Sequence, residues 1–242
     1  MIDTLLLDLD GTLLGVAQQA FVSSYLGELS KLFSKLGMDS VAATRALRDG
    51  TGAMLKNDGS VHNSSRFWTK FSQCLELSDE QCERVRSACD TFYAHEFHAV
   101  KAVVTPSNLP LRLVKAMAAK GYTLVLATNP IFPEIASVSR LSWVELLPQY
   151  FKLITHYANS TFCKPNLGYY RELLTKIERE PQQCLMVGNS IAEDMCAGEL
   201  GVNTFLVTDY CEATSETDYA PYRHGSLEEL EEYLMTLPAL VP

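Results

Sequence analysis

Two carboxylates follow an apolar run near the N-terminus, in Leu5-Leu6-Leu7-Asp8-Leu9-Asp10-Gly11-Thr12. Carboxylates are costly at the end of a buried strand unless something compensates their charge. Their alternate spacing turns Asp8 and Asp10 to the same side of extended backbone. Such a pair suits a hard divalent cation or acid–base chemistry, and Gly11 permits a tight turn behind it. A lone Asp-x-Asp is more often only the polar end of a strand, but three further segments change that balance. Leu124-Val125-Leu126-Ala127-Thr128-Asn129-Pro130 places a hydroxyl and an amide after a second apolar run. There the Thr128 side chain and the next N–H can hold an oxyanion. Lys164, in Phe162-Cys163-Lys164-Pro165-Asn166, offers the cation that an anionic site needs. Val187-Gly188-Asn189-Ser190-Ile191-Ala192-Glu193-Asp194 ends a further apolar run. Asn189 and Asp194 can supply oxygens to a cation, and Ser190 can cap a following helix.

The elements that must position these residues are short apolar runs bounded by turn signals: Thr4–Leu7, Thr123–Ala127, Phe151–Thr155, Cys184–Val187 and Thr204–Val207. Each is a strand buried on both faces, as in a parallel sheet. Helical patterns alternate with the later runs, at Leu111–Lys120, Tyr169–Glu178 and Glu193–Leu200. A capping box at Ser226–Glu229 opens a C-terminal helix. The expected core is therefore α/β, a doubly wound parallel five-stranded sheet of Rossmann-like form. The stretch after the first strand differs. Phe21–Leu36, Val41–Leu55, Phe67–Leu77 and a run from Ser78 to about Phe97 have helical spacing and contain no buried strand. That is too much chain for a simple crossover. Residues 16–104 are expected to form an inserted all-helical cap subdomain, with residues 1–15 and 105–242 forming the core.

Composition excludes several classes. The chain of 242 residues is 47% hydrophobic and 20% charged, which suits a packed globular protein. Its net charge of −9 disfavours bulk binding to nucleic acid or to anionic lipid. Seven cysteines without a C-x-x-C pair fit reduced thiols in a cytoplasmic protein. No apolar run approaches the length of a membrane span, and the N-terminus lacks the pattern of a signal peptide.

Together the four segments resemble the haloacid dehalogenase superfamily, in which phosphatases dominate. Asp-x-Asp-x-Thr is present at Asp8, Asp10 and Thr12. Thr128 matches the second motif, Lys164 the third, and Gly188, Ser190 and Asp194 the fourth. The insertion falls where the helical type 1 caps of that family lie. The resemblance implies a magnesium-dependent phosphatase acting on a small phosphorylated metabolite. Asp8 would be the nucleophile and Asp10 the general acid and base. Thr128, Asn129 and Lys164 would hold phosphate. Mg²⁺ would lie among Asp8, the Asp10 carbonyl, Asn189 and Asp194. Asn189 departs from the usual Asp and removes one negative charge, so magnesium is expected to bind more weakly. Asp10 argues against the dehalogenase branch, which lacks the second carboxylate. A sugar phosphomutase, or a non-catalytic regulatory or scaffolding protein that kept the fold, is the alternative; the oligomeric state stays open. His95 and His98 are expected on a solvated helix face, Gly50-Thr51-Gly52 in a loop, and Lys56, Arg66 and Trp68 at the surface.

Overall fold

The computed structural model describes residues 1–211 and 218–240. Strand β1 (Thr4–Leu7) opens the chain. A helical insertion follows: α1 (Gln18–Lys35), α2 (Ser40–Leu55), α3 (Asn63–Leu75), α4 (Asp79–Ala94) and a 3₁₀ segment, Glu96–Val103. Then α5 (Leu109–Ala119), β2 (Thr123–Leu126), α6 (Glu134–Trp143), β3 (Leu153–Ile154), α7 (Leu167–Ile177) and β4 (Cys184–Gly188) alternate. After them come β5 (Asn203–Val207), β6 (His224–Gly225) and α8 (Leu227–Thr236).

The sheet is parallel throughout, in the order β3-β2-β1-β4-β5-β6. Side chains alternate across it, as a period of two requires. Leu5 and Leu7 face the layer that holds α5, α6 and α8. Leu6 faces α7, among Tyr169, Tyr170 and Leu173. Both faces are therefore covered, which is why the strands read as unbroken apolar runs.

Three expectations need correcting. The sheet has six strands, because the two-residue β6 pairs with β5; so short a segment has no apolar run to announce it. The helix expected over Glu193–Leu200 is a turn followed by a 3₁₀ segment, Met195–Leu200. Asp194 has turned back there to accept from the Ser190 N–H. Gly50, Thr51 and Gly52 lie inside α2 and not in a loop.

Local signals place the helix ends. Asp39 accepts from the N–H groups of Val41 and Ala42 at the start of α2. Ser78 with Gln81, and Ser226 with Glu229, form capping boxes on α4 and α8. The two glycines of α2 differ in purpose. A Cβ on Gly50 would lie 2.8 Å from the Phe67 ring and 3.2 Å from the Phe67 carbonyl oxygen. Gly50 thus lets α2 and α3 touch. A Cβ on Gly52 would meet nothing within 4 Å.

This contrast gives a paired prediction. At Gly52, alanine adds only helix propensity, about 1 kcal/mol, and raises the melting temperature by roughly 2–4 °C. At Gly50 the same gain is outweighed by overpacking of about 1–3 kcal/mol, and the melting temperature falls. Thermal unfolding of Gly50→Ala and Gly52→Ala reads both signs. A rise in both variants would contradict the close helix crossing.

Candidate active site

Strand β1 lies between β2 and β4, the point at which a doubly wound sheet reverses its strand order. A crevice opens at the carboxyl ends of the strands there. The ladder carries on past the strand ends: Ala127 N–H donates to the Leu7 carbonyl at 2.8 Å and Asp8 N–H to the Val187 carbonyl at 2.9 Å. Asp8, Thr128 and Asn189 therefore leave three adjacent strands at one level. Lys164 reaches them from the loop between β3 and α7.

Lys164 is 1% exposed. Its ammonium donates to Asp8 Oδ1 at 2.9 Å and to Asp194 Oδ1 at 2.6 Å. The second Asp194 oxygen accepts from the Ser190 N–H at 3.0 Å. Burial alone would lower the lysine pKa, but the two carboxylates outweigh it and hold it well above the ordinary value. Burial pushes Asp194 above the usual carboxylate range, and Lys164 opposes that shift. Gly188 makes the arrangement possible, since a Cβ there would lie 2.1 Å from Asp194 Oδ2.

The Thr12 hydroxyl lies 3.2 Å from Asp8 Oδ2 and 3.2 Å from Asn189 Oδ1. One hydroxyl proton serves one of these oxygens at a time. The other keeps free acceptor capacity, so two oxygens converge on a spot suited to a hard cation. Among the described residues no group of three or more His, Cys, Asp or Glu side chains is placed to hold a metal. A magnesium ion, which keeps several waters and needs few protein ligands, still fits this all-oxygen set. Asn189 also donates through Nδ2 to the Tyr210 carbonyl at 3.1 Å, a bond that Asp could not make. Gly11, at φ +79°, lets this amide approach; a Cβ there would collide with it at 2.3 Å.

The Thr128 carbonyl accepts from Thr155 Oγ1 at 2.7 Å and from the Tyr169 hydroxyl at 3.2 Å, which fixes the turn that presents the Thr128 side chain. Asn129 ties two loops together. Its Nδ2 donates to Glu193 Oε2 at 3.1 Å, and its Oδ1 accepts from the Lys164 N–H at 3.3 Å.

The sequence reading missed Arg140. It is fully buried on α6, and its Nη1 donates to Asp10 Oδ2. Its guanidinium lies 4.4 Å from the Phe132 ring centroid and 5.7 Å from that of Phe21. The other Asp10 oxygen, Oδ1, is buried and has no hydrogen-bond partner among the described residues. Burial raises the Asp10 pKa, Arg140 lowers it and Asp8 raises it again; the net direction is upward. A signal did exist: Arg140 follows Ala136 by one helical turn on the buried face of α6. A lone cation among apolar positions needs a carboxylate partner.

Asp8, Asp10, Thr128, Asn129, Asn189 and Asp194 line one end of a cavity of about 800 Å³ beneath the helical insertion. Trp68, expected at the surface, is 7% exposed and lines the same cavity. It faces inward because α3 packs Phe67, Trp68 and Phe71 together on one face. Arg66 instead turns outward to Asp58 at 2.5 Å. Lys56 is exposed, and so is His98, whose Nδ1 accepts from Trp143 Nε1 at 2.9 Å.

Gly188→Ala tests the buried charge cluster. Its Cβ drives Asp194 off and leaves Lys164 with one partner. Breaking a buried ion pair costs about 3–5 kcal/mol. Discounting for the surviving Asp8 contact, the melting temperature falls by roughly 5–10 °C at about 2–4 °C per kcal/mol. A melt identical to that of the parent protein would refute the arrangement.

Comparison with known proteins gives the family and the fold. A model of haloacid dehalogenase-like hydrolases matches residues 2–200. The bifunctional epoxide hydrolase 2 of Rattus norvegicus is 22% identical over 187 residues, 74% of this chain but only 34% of that protein. The chain thus spans about a third of that relative's length. Among solved structures, a 2-haloacid dehalogenase from Pseudomonas syringae pv. Tomato DC3000 superposes with a TM-score of 0.61 and 20% identity. It covers 97% of this chain and 99% of its own. A phosphatase from Thermococcus onnurineus gives 0.59 and 18%, over 96% and 98%. The magnesium-bound hydrolase YfnB from Bacillus subtilis gives 0.56 and 18%, over 98% and 99%. At these identities the structural likeness speaks for the fold alone. With most of its length matched by the family model, the chain belongs to the haloacid dehalogenase-like hydrolases.

Proposed function

We propose that this hydrolase is a magnesium-dependent phosphatase that cleaves a phosphate monoester through an aspartyl-phosphate on Asp8. The observation that carries the proposal is the second carboxylate. Asp10 stands on the same strand end as Asp8 and lines the cavity; Arg140 holds one of its oxygens, and the other is buried with no partner among the described residues. A departing alkoxide needs a proton donor at that place, whereas a departing halide needs none.

In the first step an Asp8 oxygen attacks phosphorus as the bond from phosphorus to the ester oxygen breaks. Asp10 gives its proton to the departing oxygen, producing an alcohol. In the second step Asp10 takes a proton from water, whose oxygen attacks the aspartyl-phosphate. Inorganic phosphate leaves and the Asp8 carboxylate returns. Thr128 and Lys164 stabilise the charge that develops on the transferring oxygens. Lys164 also lets a carboxylate approach an anionic phosphate at all.

Asp8, Asn189 and the Asp10 carbonyl would hold Mg²⁺, which supplies charge neutralisation at the phosphoryl group when bound. Both Asp194 oxygens are engaged, by Lys164 and by Ser190, so Asp194 serves as the anchor of Lys164 and not as a direct metal ligand. The neutral Asn189 makes magnesium binding weaker than Asp would. The helical insertion acts as a cap that shields the reacting atoms from bulk water. A cytoplasmic setting and a small phosphorylated ligand belong to the same proposal. Among the described residues no helix is long and apolar enough to cross a membrane.

Phosphate release from p-nitrophenyl phosphate tests the proposal. Release requires Mg²⁺ and stops with chelator. Asp8→Asn lowers it by roughly 10³-fold or more while the fold, checked by circular dichroism, survives. Asn189→Asp lowers the half-saturating Mg²⁺ concentration. Release by Asp8→Asn at the parental rate, or by protein stripped of metal, would contradict the proposal. A mutase would release little phosphate and would instead isomerise a sugar phosphate.

A further inference from the structure

The wall of the cavity beyond the catalytic end is aromatic and aliphatic. Phe21, Tyr25, Phe33, Phe67, Trp68 and Phe71 line it, from α1 and α3. Few polar groups stand within this wall: the Trp68 Nε1–H is a buried donor without a partner among the described residues, and others are already engaged. The Tyr25 and Tyr93 hydroxyls share a hydrogen bond of 2.5 Å, and the Thr51 hydroxyl donates to the Leu47 carbonyl at 3.0 Å. The charged and amide side chains of the insertion that reach the cavity, Gln18, Arg48 and Asp90, are solvent-exposed. Arg66 is not among the residues that line the cavity and is held by Asp58 and Asn57.

We infer that the leaving group is an apolar alcohol, so that the substrate is the phosphate monoester of an alkyl-chain or ring-bearing alcohol and not of a sugar. This deepens the phosphatase proposal and rests on it for the chemistry. Space and polarity both decide the class. A cavity of about 800 Å³ is far larger than a phosphate group needs. It falls in the range, about 300–1,000 Å³, that encloses a drug-sized organic molecule. A sugar would bring several hydroxyls against a wall where the Trp68 Nε1–H could serve one of them, and each hydroxyl left buried and unpaired costs free energy. An alkyl chain loses nothing there and gains with every methylene removed from water. The two ends of the cavity thus divide the ligand, with phosphate at the strand ends and an apolar body among the helices.

Gly52 provides the internal control. It lines the cavity, and a Cβ there would meet nothing within 4 Å, so a larger side chain at this position grows into open space.

Calorimetric titration of the intact protein with Mg²⁺ and non-hydrolysable phosphonates tests the inference. Octylphosphonate should bind at least about thirtyfold more tightly than ethylphosphonate, from six added methylenes only partly realised. The phosphonate analogue of sorbitol 6-phosphate, of similar length but hydroxylated, should bind no more tightly than ethylphosphonate. Gly52→Leu should narrow the octyl-to-ethyl ratio by about fivefold or more. Affinities for the octyl and ethyl phosphonates within about threefold, or tightest binding of the polyol phosphonate, would overturn the inference. Hydrolysis of ethyl and octyl phosphate run in parallel separates the two claims. Chain-dependent phosphonate binding with no phosphate release supports the apolar site and defeats the phosphatase proposal. Phosphate release without chain dependence in binding defeats the apolar site alone.

Discussion

An ammonium group almost wholly removed from water stands at the centre of this molecule, and it exists only because two carboxylates hold it. Lys164 lies 2.9 Å from Asp8 and 2.6 Å from Asp194. Desolvating any one of these charges alone would be prohibitive. Together they require three separate pieces of chain to meet: the end of β1, the loop before α7 and the turn after β4. The parallel register levels the strand ends, and Gly188 leaves the space into which Asp194 folds. Asp194 closes a turn with Ser190, its own N–H donating to the Ser190 carbonyl at 2.9 Å and its side chain accepting from the Ser190 N–H, and a 3₁₀ segment rather than a regular helix follows.

A second buried cation, Arg140, organises the other carboxylate. It fixes one oxygen of Asp10, while the second is buried without a partner among the described residues. Phe21 covers the Arg140 guanidinium and also lines the cavity, so one ring on α1 joins the helical insertion to the partner of Asp10. Displacement of α1 would therefore alter both the cover over Arg140 and the shape of the cavity. The strand-end side and the helical side of the cavity are coupled through packing and not merely neighbours.

Much of the site was legible in the sequence because its residues stand directly at strand ends. Asp8, Thr128 and Asn189 each follow an apolar run, and a polar residue at such a place has few structural reasons to be there. Lys164 was legible only in company, since a lysine before Pro165 is otherwise an ordinary surface charge. Arg140 shows only as a cation on the buried face of a helix; its partner lies 130 positions away, and no spacing links the two. Asn129 follows Thr128 at the same strand end, and what no spacing shows is that its side chain braces the loops of Lys164 and Glu193. The apolar cavity was invisible for a different reason. Its walls come from separate helices, and Trp68 on one of them reads as a surface residue until α3 is packed. The six-stranded sheet was read as five because β6 is two residues long and has no pattern to detect.

The central claim is that Asp8, steadied by Lys164, becomes covalently phosphorylated. Acid quenching during turnover, borohydride reduction and peptide mass mapping test it most directly. Reduction of a single residue, Asp8, in the peptide that contains Leu5–Thr12 is the expected result. An unmodified Asp8 peptide in protein that is releasing phosphate, or reduction at Asp10 or Asp194 instead, would contradict it.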